Sequence, residues 1–129
     1  MASSKRKYSG IERELVRALT HACETAKHEI TGFTWLTHRV DYARFPESLV
    51  VTWVFDSDNS MNAAIASQDA VTLQALTLAA FEDIGIAVAN IKPHVELDSE
   101  ARCASQHGGD WAARLNSRQG AGGKHGQRH

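Results

Sequence analysis

Residues 35–58 read WLTHRVDYARFPESLVVTWVFDSD. On both sides of Pro46 bulky residues recur at every second position, which is the period of a β-strand and not of a helix. With Phe45-Pro46-Glu47-Ser48 as the turn, the two arms form an antiparallel hairpin. Arg44 then lies opposite Leu49, Tyr42 opposite Val51, Val40 opposite Trp53 and His38 opposite Phe55, and all of these share one face. That face is apolar enough to be the core. The other face holds Trp35, Thr37, Arg39 and Asp41 beside Val50, Thr52 and Val54, a mixture suited to half-covered sheet. Proline does not suit a two-residue hairpin turn, so a longer loop of the same parity is expected. A one-residue bulge would carry the side chains to the opposite face.

Upstream, Ser9-Gly10-Ile11-Glu12 reads as a capping box, which starts a helix at Ser9. Leu15, Val16, Leu19, Cys23, Ala26 and Ile30 follow at the spacing of one apolar stripe, and Gly32 supplies a stop. Cys23 on that stripe is a packing residue. Downstream, Asp58 and Asn59 are good caps for the short run MNAAIA. An interruption at Ser67-Gln68-Asp69 precedes the longer apolar helix AVTLQALTLAAFEDI, closed by Gly85. Pro93–Asp98 alternates as a third strand. Asp98 or Ser99 caps a short helix to about Gln106, and the turn HGGD leads to a few helical residues from Trp111 to Leu115. The predicted order is α-β-β-α-α-β-α. It describes a two-layer α+β domain with a small three-stranded mixed sheet and helices mainly on one face.

The chain has 129 residues, enough for one core, and a net charge of −1. That near-neutral sum hides a separation. Residues 1–7 carry Lys5, Arg6 and Lys7 and no acid, and residues 116–129 carry Arg118, Lys124 and Arg128 and no acid. Of the fourteen basic residues these ends hold six, which leaves eight against all fifteen acids in residues 8–115. The body is therefore −7 between two ends of +3, which disfavours a basic nucleic-acid groove on the body itself. Residues 1–8 are expected to be a flexible basic tail, residues 9–115 the folded domain, and the Gly-rich residues 116–129 a disordered basic tail. No apolar run approaches the roughly 20 residues that span a bilayer, and no apolar stretch follows the basic start. With only Cys23 and Cys103 as thiols, the chain is expected to be cytoplasmic and free of a disulfide framework.

Chemical motifs are incomplete. His21, Glu24 and His28 recur along one helix face as ligands do, but lack a third strong ligand and a supporting shell. Cys103 and His107 are four apart with no second pair to close a zinc site, and His107 suits a helix end, where it balances the dipole. Asp56-Ser57-Asp58-Asn59-Ser60 lacks the glycine and glutamate of a calcium loop. His38 could approach Asp41 or Asp56 across the hairpin, but reads as a hydrogen-bonded core histidine. Nucleotide and nucleophile-elbow fingerprints are missing. The chain is therefore expected to be non-enzymatic, with no catalytic residue, metal or cofactor.

The order of elements over most of residues 9–106 resembles the type II KH fold, in particular that of the ribosome-binding factor A family. That resemblance implies an RNA grip between the two central helices, where KH domains carry Gly-x-x-Gly. Here the junction is Ala66-Ser67-Gln68-Asp69, without glycine and with a carboxylate. GFTWLTHRVDYARFPESLVVTWVFD together with HVELDSEARCASQHGGDW is similar to a small bacterial family labelled Fis-type transcriptional regulator. That label implies a helix-turn-helix. The C-terminal candidate is helix 99–106, Gly108-Gly109 and WAARLNSR. Its first helix carries Glu100 and Arg102, and its second segment offers only Arg114 and Arg118 as cations.

Two functions are expected from these readings. In one, the chain is a nucleic-acid-associated or ribosome-associated accessory factor that contacts RNA or DNA through Lys5, Arg6, Lys7, Arg118, Lys124 and Arg128, with Trp35 and Arg39 on the body. In the other, it is a protein-interaction or homodimerising domain that pairs through a sheet edge.

Overall fold

The computed structural model describes the backbone of residues 2–119 and 124–128 and the side chains of residues 10–117. The first helix, α1 (Ala2–Glu29), runs into β1 (Phe33–Val40) and β2 (Val50–Phe55). Two helices follow, α2 (Asp58–Ala66) and α3 (Asp69–Asp83), then β3 (Val95–Ser99), α4 (Glu100–His107), α5 (Trp111–Gln119) and β4 (Lys124–Arg128). β1 and β2 are antiparallel, β2 and β3 parallel, and the sheet order is β3-β2-β1-β4. A parallel neighbour requires a crossover, and α2 and α3 supply it. The body is the expected small α+β domain in the order α-β-β-α-α-β-α, with its mixed sheet built on β1, β2 and β3.

Leu15, Ala18, Leu19, Ala22, Cys23, Ala26 and Ile30 are all buried, so one stripe of α1 lies on the core. The helix starts at Ala2, ahead of the expected capping box. The box is not used because Ser9 and Glu12 lie inside the helix, where their amides are already paired; the Glu12 carboxylate is instead 3.0 Å from His38 Nε2 and accepts from the Tyr42 hydroxyl. Gly32 turns the chain into β1 at φ +83°, and a Cβ there would meet Ser60 Cβ and Oγ at 2.4 Å. Glycine is thus required by both conformation and contact.

The β1–β2 register differs from the simplest turn by an even step: Trp53 pairs with Leu36 and Val51 with His38. Parity survives, so Leu36, His38, Val40, Val51, Trp53 and Phe55 still share the inner face. The connection is longer than four residues. It contains a 3-10 turn at Tyr42–Arg44, and Asp41 and Ser48 close it: Asp41 N donates to Ser48 Oγ at 2.9 Å, and that hydroxyl donates back to Asp41 O at 2.7 Å. The Phe45–Pro46 peptide is cis. A bulge between Phe33 and Trp35 confines its parity change to the strand's start, which turns Phe33 inward. Phe33 meets Trp53 at 5.2 Å between ring centres. Trp53 is fully buried, and its Nε1 donates to Thr77 Oγ1 at 3.1 Å, so its polar edge is satisfied against α3.

Caps follow local chemistry. Ser57, one residue ahead of the expected Asp58, caps α2 by accepting from Ser60 N. Ser67 ends α2 and accepts from Asp69 N at 3.1 Å. Ser99 caps α4 by accepting from Arg102 N, and Gly108 at φ 59° ends it. β3 begins at Val95 because Lys92–His94 form a 3-10 turn. α5 extends past Leu115 to Gln119. The backbone of residues 2–8 continues α1, and Lys124–Arg128 pair with β1, with Lys124 opposite Val40 and Arg128 opposite Thr37. An unpaired β1 edge would leave a row of N–H and C=O groups, which a fourth strand satisfies. The side chains of Lys5, Arg6, Lys7, Arg118, Lys124 and Arg128 lie outside the described residues. Among the described residues no helix is long and apolar enough to cross a membrane.

Two substitutions check this architecture. Trp53→Ala lowers unfolding free energy by about 3–5 kcal/mol in urea denaturation, the range for removing a fully buried aromatic ring. Gly10 lies inside α1 with nothing within 4 Å of an added Cβ, so Gly10→Ala raises stability by about 0.5–1 kcal/mol. A helix starting at Ser9 would give little change.

Candidate functional site

The body contacts expected for nucleic acid are engaged within the fold. Trp35 is 7% exposed, and its Nε1 donates to Glu100 Oε2 at 2.7 Å. Trp111 Nε1 donates to the other oxygen of the same carboxylate at 2.8 Å, and the two indoles meet edge to face at 4.9 Å. Arg39 crosses the sheet to Glu96, with Nη1 at 3.1 Å from Oε2 and Nη2 at 3.4 Å from Oε1. Thr52 Oγ1 donates to that same Oε2 at 2.8 Å, so one residue from each of β1, β2 and β3 forms a polar row. The outer face of the sheet, expected to be half-covered, has Thr37, Thr52, Val54 and Asp98 buried.

α5 covers part of that face through an ion pair. Arg114 donates to Asp98 from Nε at 2.7 Å and from Nη2 at 2.9 Å, and its Nη1 donates to Gln106 Oε1 at 2.7 Å. Arg114 is 2% exposed and Asp98 is fully buried. The hydrogen bonds it donates to Asp98 hold the guanidinium pKa above its ordinary value. One of the two cations that a helix-turn-helix reading would place against DNA is therefore turned inward.

Glu12, His38 and Tyr42 form a second cluster, joining α1 to β1 and the loop after it. Its composition suits proton transfer, but the His38 side chain is fully buried. Asp41 instead caps the 3-10 turn, and Asp56 N donates to Gly32 O, so neither aspartate is placed with His38. Among the described residues no group of three or more His, Cys, Asp or Glu side chains could hold a metal ion. His21, Glu24 and His28 are exposed, and His107 Nδ1 lies 3.1 Å from Arg114 Nη1. Cys23 and Cys103 are buried and free, and burial pushes both thiols up, away from the reactive thiolate.

What the fold leaves outside is an apolar helix face. α3 buries Leu73, Thr77, Ala80 and Phe81. Its opposite side carries Val71, Ala75 and Ala79, all exposed, at steps of four that align them along one face. Val71 is 55% exposed, and Ile65 near the end of α2 is 56% exposed. These two are the exposed large hydrophobic residues among the described ones, and they flank the α2–α3 junction. Beside this face a groove of about 510 Å³ runs between α1 and α3, floored by Ala18, Ala22, Leu76, Ala79 and Ala80. Arg17 crosses its rim, donating to Glu14 at 2.8 Å and to Asp83 at 3.4 Å. The face was missed in reading the sequence, although AVTLQALTLAAFEDI carries a signal for it: a helix apolar on all sides must either be wholly buried or present one side to something else.

Comparison with known families, curated proteins and solved structures finds no match to this chain.

The buried pair and the tyrosine cluster each make a prediction. Arg114→Ala lowers stability by about 3–5 kcal/mol because it takes both charge-assisted hydrogen bonds from the buried Asp98 carboxylate, which also accepts from Ser99 N at 2.9 Å, whereas an apolar replacement of both residues recovers most of that loss. Denaturation of the two variants measures both values. Burial, then the hydrogen bond to Glu12, pushes the Tyr42 phenol above its ordinary pKa of 10.0, so the folded state holds that proton more tightly than the unfolded chain. The contribution is complete below pH 10 and falls as pH rises beyond it. Tyr42→Phe therefore flattens the alkaline limb of a stability–pH curve.

Proposed function

We propose that this protein is a cytoplasmic, non-enzymatic protein-interaction domain that binds its partner on the outer face of α3. The observation that carries this reading is the position of Ile65 and Val71. Among the described residues the fold encloses the other large hydrophobic side chains wholly or partly, yet leaves these two open on either side of the α2–α3 junction, with Val71 in line with Ala75 and Ala79 along α3. Contiguous exposed apolar surface marks interaction sites more often than isolated residues do. Trp35 and Arg39, the body residues that would favour nucleic acid, have partners inside the fold. The KH-like position between α2 and α3 offers Ser67, Gln68 and Asp69, without the glycines that let backbone approach phosphate and with a carboxylate that repels it. Pairing through a sheet edge would have to use β3 or β4, which are short at five residues each.

A second reading, association with nucleic acid or the ribosome, has one observation in its favour. Residues 1–7 and 116–129 each carry three lysines or arginines and no acid, and Lys124–Arg128 pair along β1.

Affinity purification of the full chain from cells that make it, with and without nuclease, separates the two readings. The first expects a nuclease-resistant protein partner that is lost from Ile65→Asp and Val71→Asp, variants whose stability stays within about 0.5 kcal/mol of the parent because the sites are exposed. Equal recovery by these variants, or a partner released by nuclease and by added salt, contradicts it.

A further inference from the structure

Resting on α3 as the docking face, we infer that its partner is an amphipathic helix whose apolar stripe is flanked by lysine or arginine. The shape of the site argues for a helix. α3 has 15 residues, a length of roughly 22 Å or four turns, and the adjoining groove is floored largely by alanines, which let another helix approach closely. Val71, Ala75 and Ala79 then supply a narrow apolar ridge of the kind that helix-in-groove recognition uses.

The charge of the site argues for cations. The charged residues of α3 are Asp69, Glu82 and Asp83, with no lysine or arginine among its 15. Glu82 and Asp83 stand at the C-terminal end, where the helix dipole is already negative and a cation would be favoured. Arg17 answers part of this charge but is shared with Glu14. A basic flank on the partner would meet Glu82, Asp83 and Glu14 along the rim. The same acids argue against a second copy of this chain. Antiparallel pairing of two α3 helices would set Asp69 against Glu82 and Asp83, and parallel pairing would set each acid against itself. They also oppose polyanions and anionic lipid surfaces.

The probe is a fluorescent synthetic helix of about 18 residues, with leucines at i, i+3, i+4 and i+7 and lysines on both flanks. Its twin has glutamate in place of every lysine. Anisotropy titrations use the full chain, Val71→Asp and the double variant Glu82→Gln/Asp83→Asn. The parent chain is expected to bind the lysine peptide at least about tenfold more tightly than the glutamate twin. The double variant should lose most of that preference, and Val71→Asp should lose binding altogether. Equal affinity for the twins, with loss in Val71→Asp, overturns the cationic class while leaving α3 as the docking face. Binding of the lysine peptide unchanged by Val71→Asp, or no binding of either peptide, overturns the inference, while the purification experiment still judges the docking face separately. Concentration-dependent dimerisation of the parent that Val71→Asp abolishes also overturns it, because the face then belongs to a second copy.

Discussion

The antiparallel pairing of β1 with β2 is the constraint on which the rest of the molecule depends. Side chains alternate across a strand, so a slip of one residue would exchange the two faces entirely. With Leu36 opposite Trp53 and Thr37 opposite Thr52, the indole of Trp53 enters the helical layer and Thr37, Thr52 and Arg39 fall to the other side. The inner face then packs on α1 and α3 as an apolar core. The outer face receives a different cover, made of an ion pair, a carboxylate shared by two indoles and a cross-strand arginine.

This division explains why Arg39 and Arg114, the cations of the outer sheet face, are not available for recognition, whereas Arg13, Arg17, Lys27, Arg44, Lys92 and Arg102 are exposed. Arg114 and Arg39 satisfy carboxylates that the sheet presents outward, and a buried or half-buried carboxylate without such a partner would be costly. The outer sheet face is therefore closed over, as the inner face is by the core. α3 is the exception. Its inner side completes the core through Thr77 and Phe81, and its outer side meets solvent as an apolar ridge beside acidic residues. Function is assigned there because that is where the packing of the fold is left incomplete.

Much of the architecture was legible from local pattern. The apolar stripe of α1, the alternation around Pro46, the break at Ser67 and the cap at Ser99 each express a short-range rule, and each appears where that rule puts it. The failures share a cause, which is competition from partners remote in sequence. Glu12 forms no box with Ser9 because α1 continues back to Ala2, and its carboxylate serves His38 and Tyr42, some 26 and 30 residues away. Phe33 turns inward because a bulge between Phe33 and Trp35 changes parity over the first step of β1 alone. Trp35 and Arg39 looked like surface contacts because nothing local announces Glu100 or Glu96. The proposed docking face was hidden for the opposite reason: α3 read only as a longer apolar helix, though one side of it alone can reach the sheet.

Solvent paramagnetic relaxation, measured residue by residue with a soluble neutral gadolinium chelate, tests the division of the two faces most directly. Strong enhancement at Ile65, Val71, Ala75 and Ala79, with weak enhancement at Trp35, Thr37, Trp53, Val54 and Arg114, is the pattern this structure requires. Strong enhancement along Trp35, Thr37 and Val54, or protection of Val71 and Ala75 in the monomer, would mean that the outer sheet face and not α3 is the open surface.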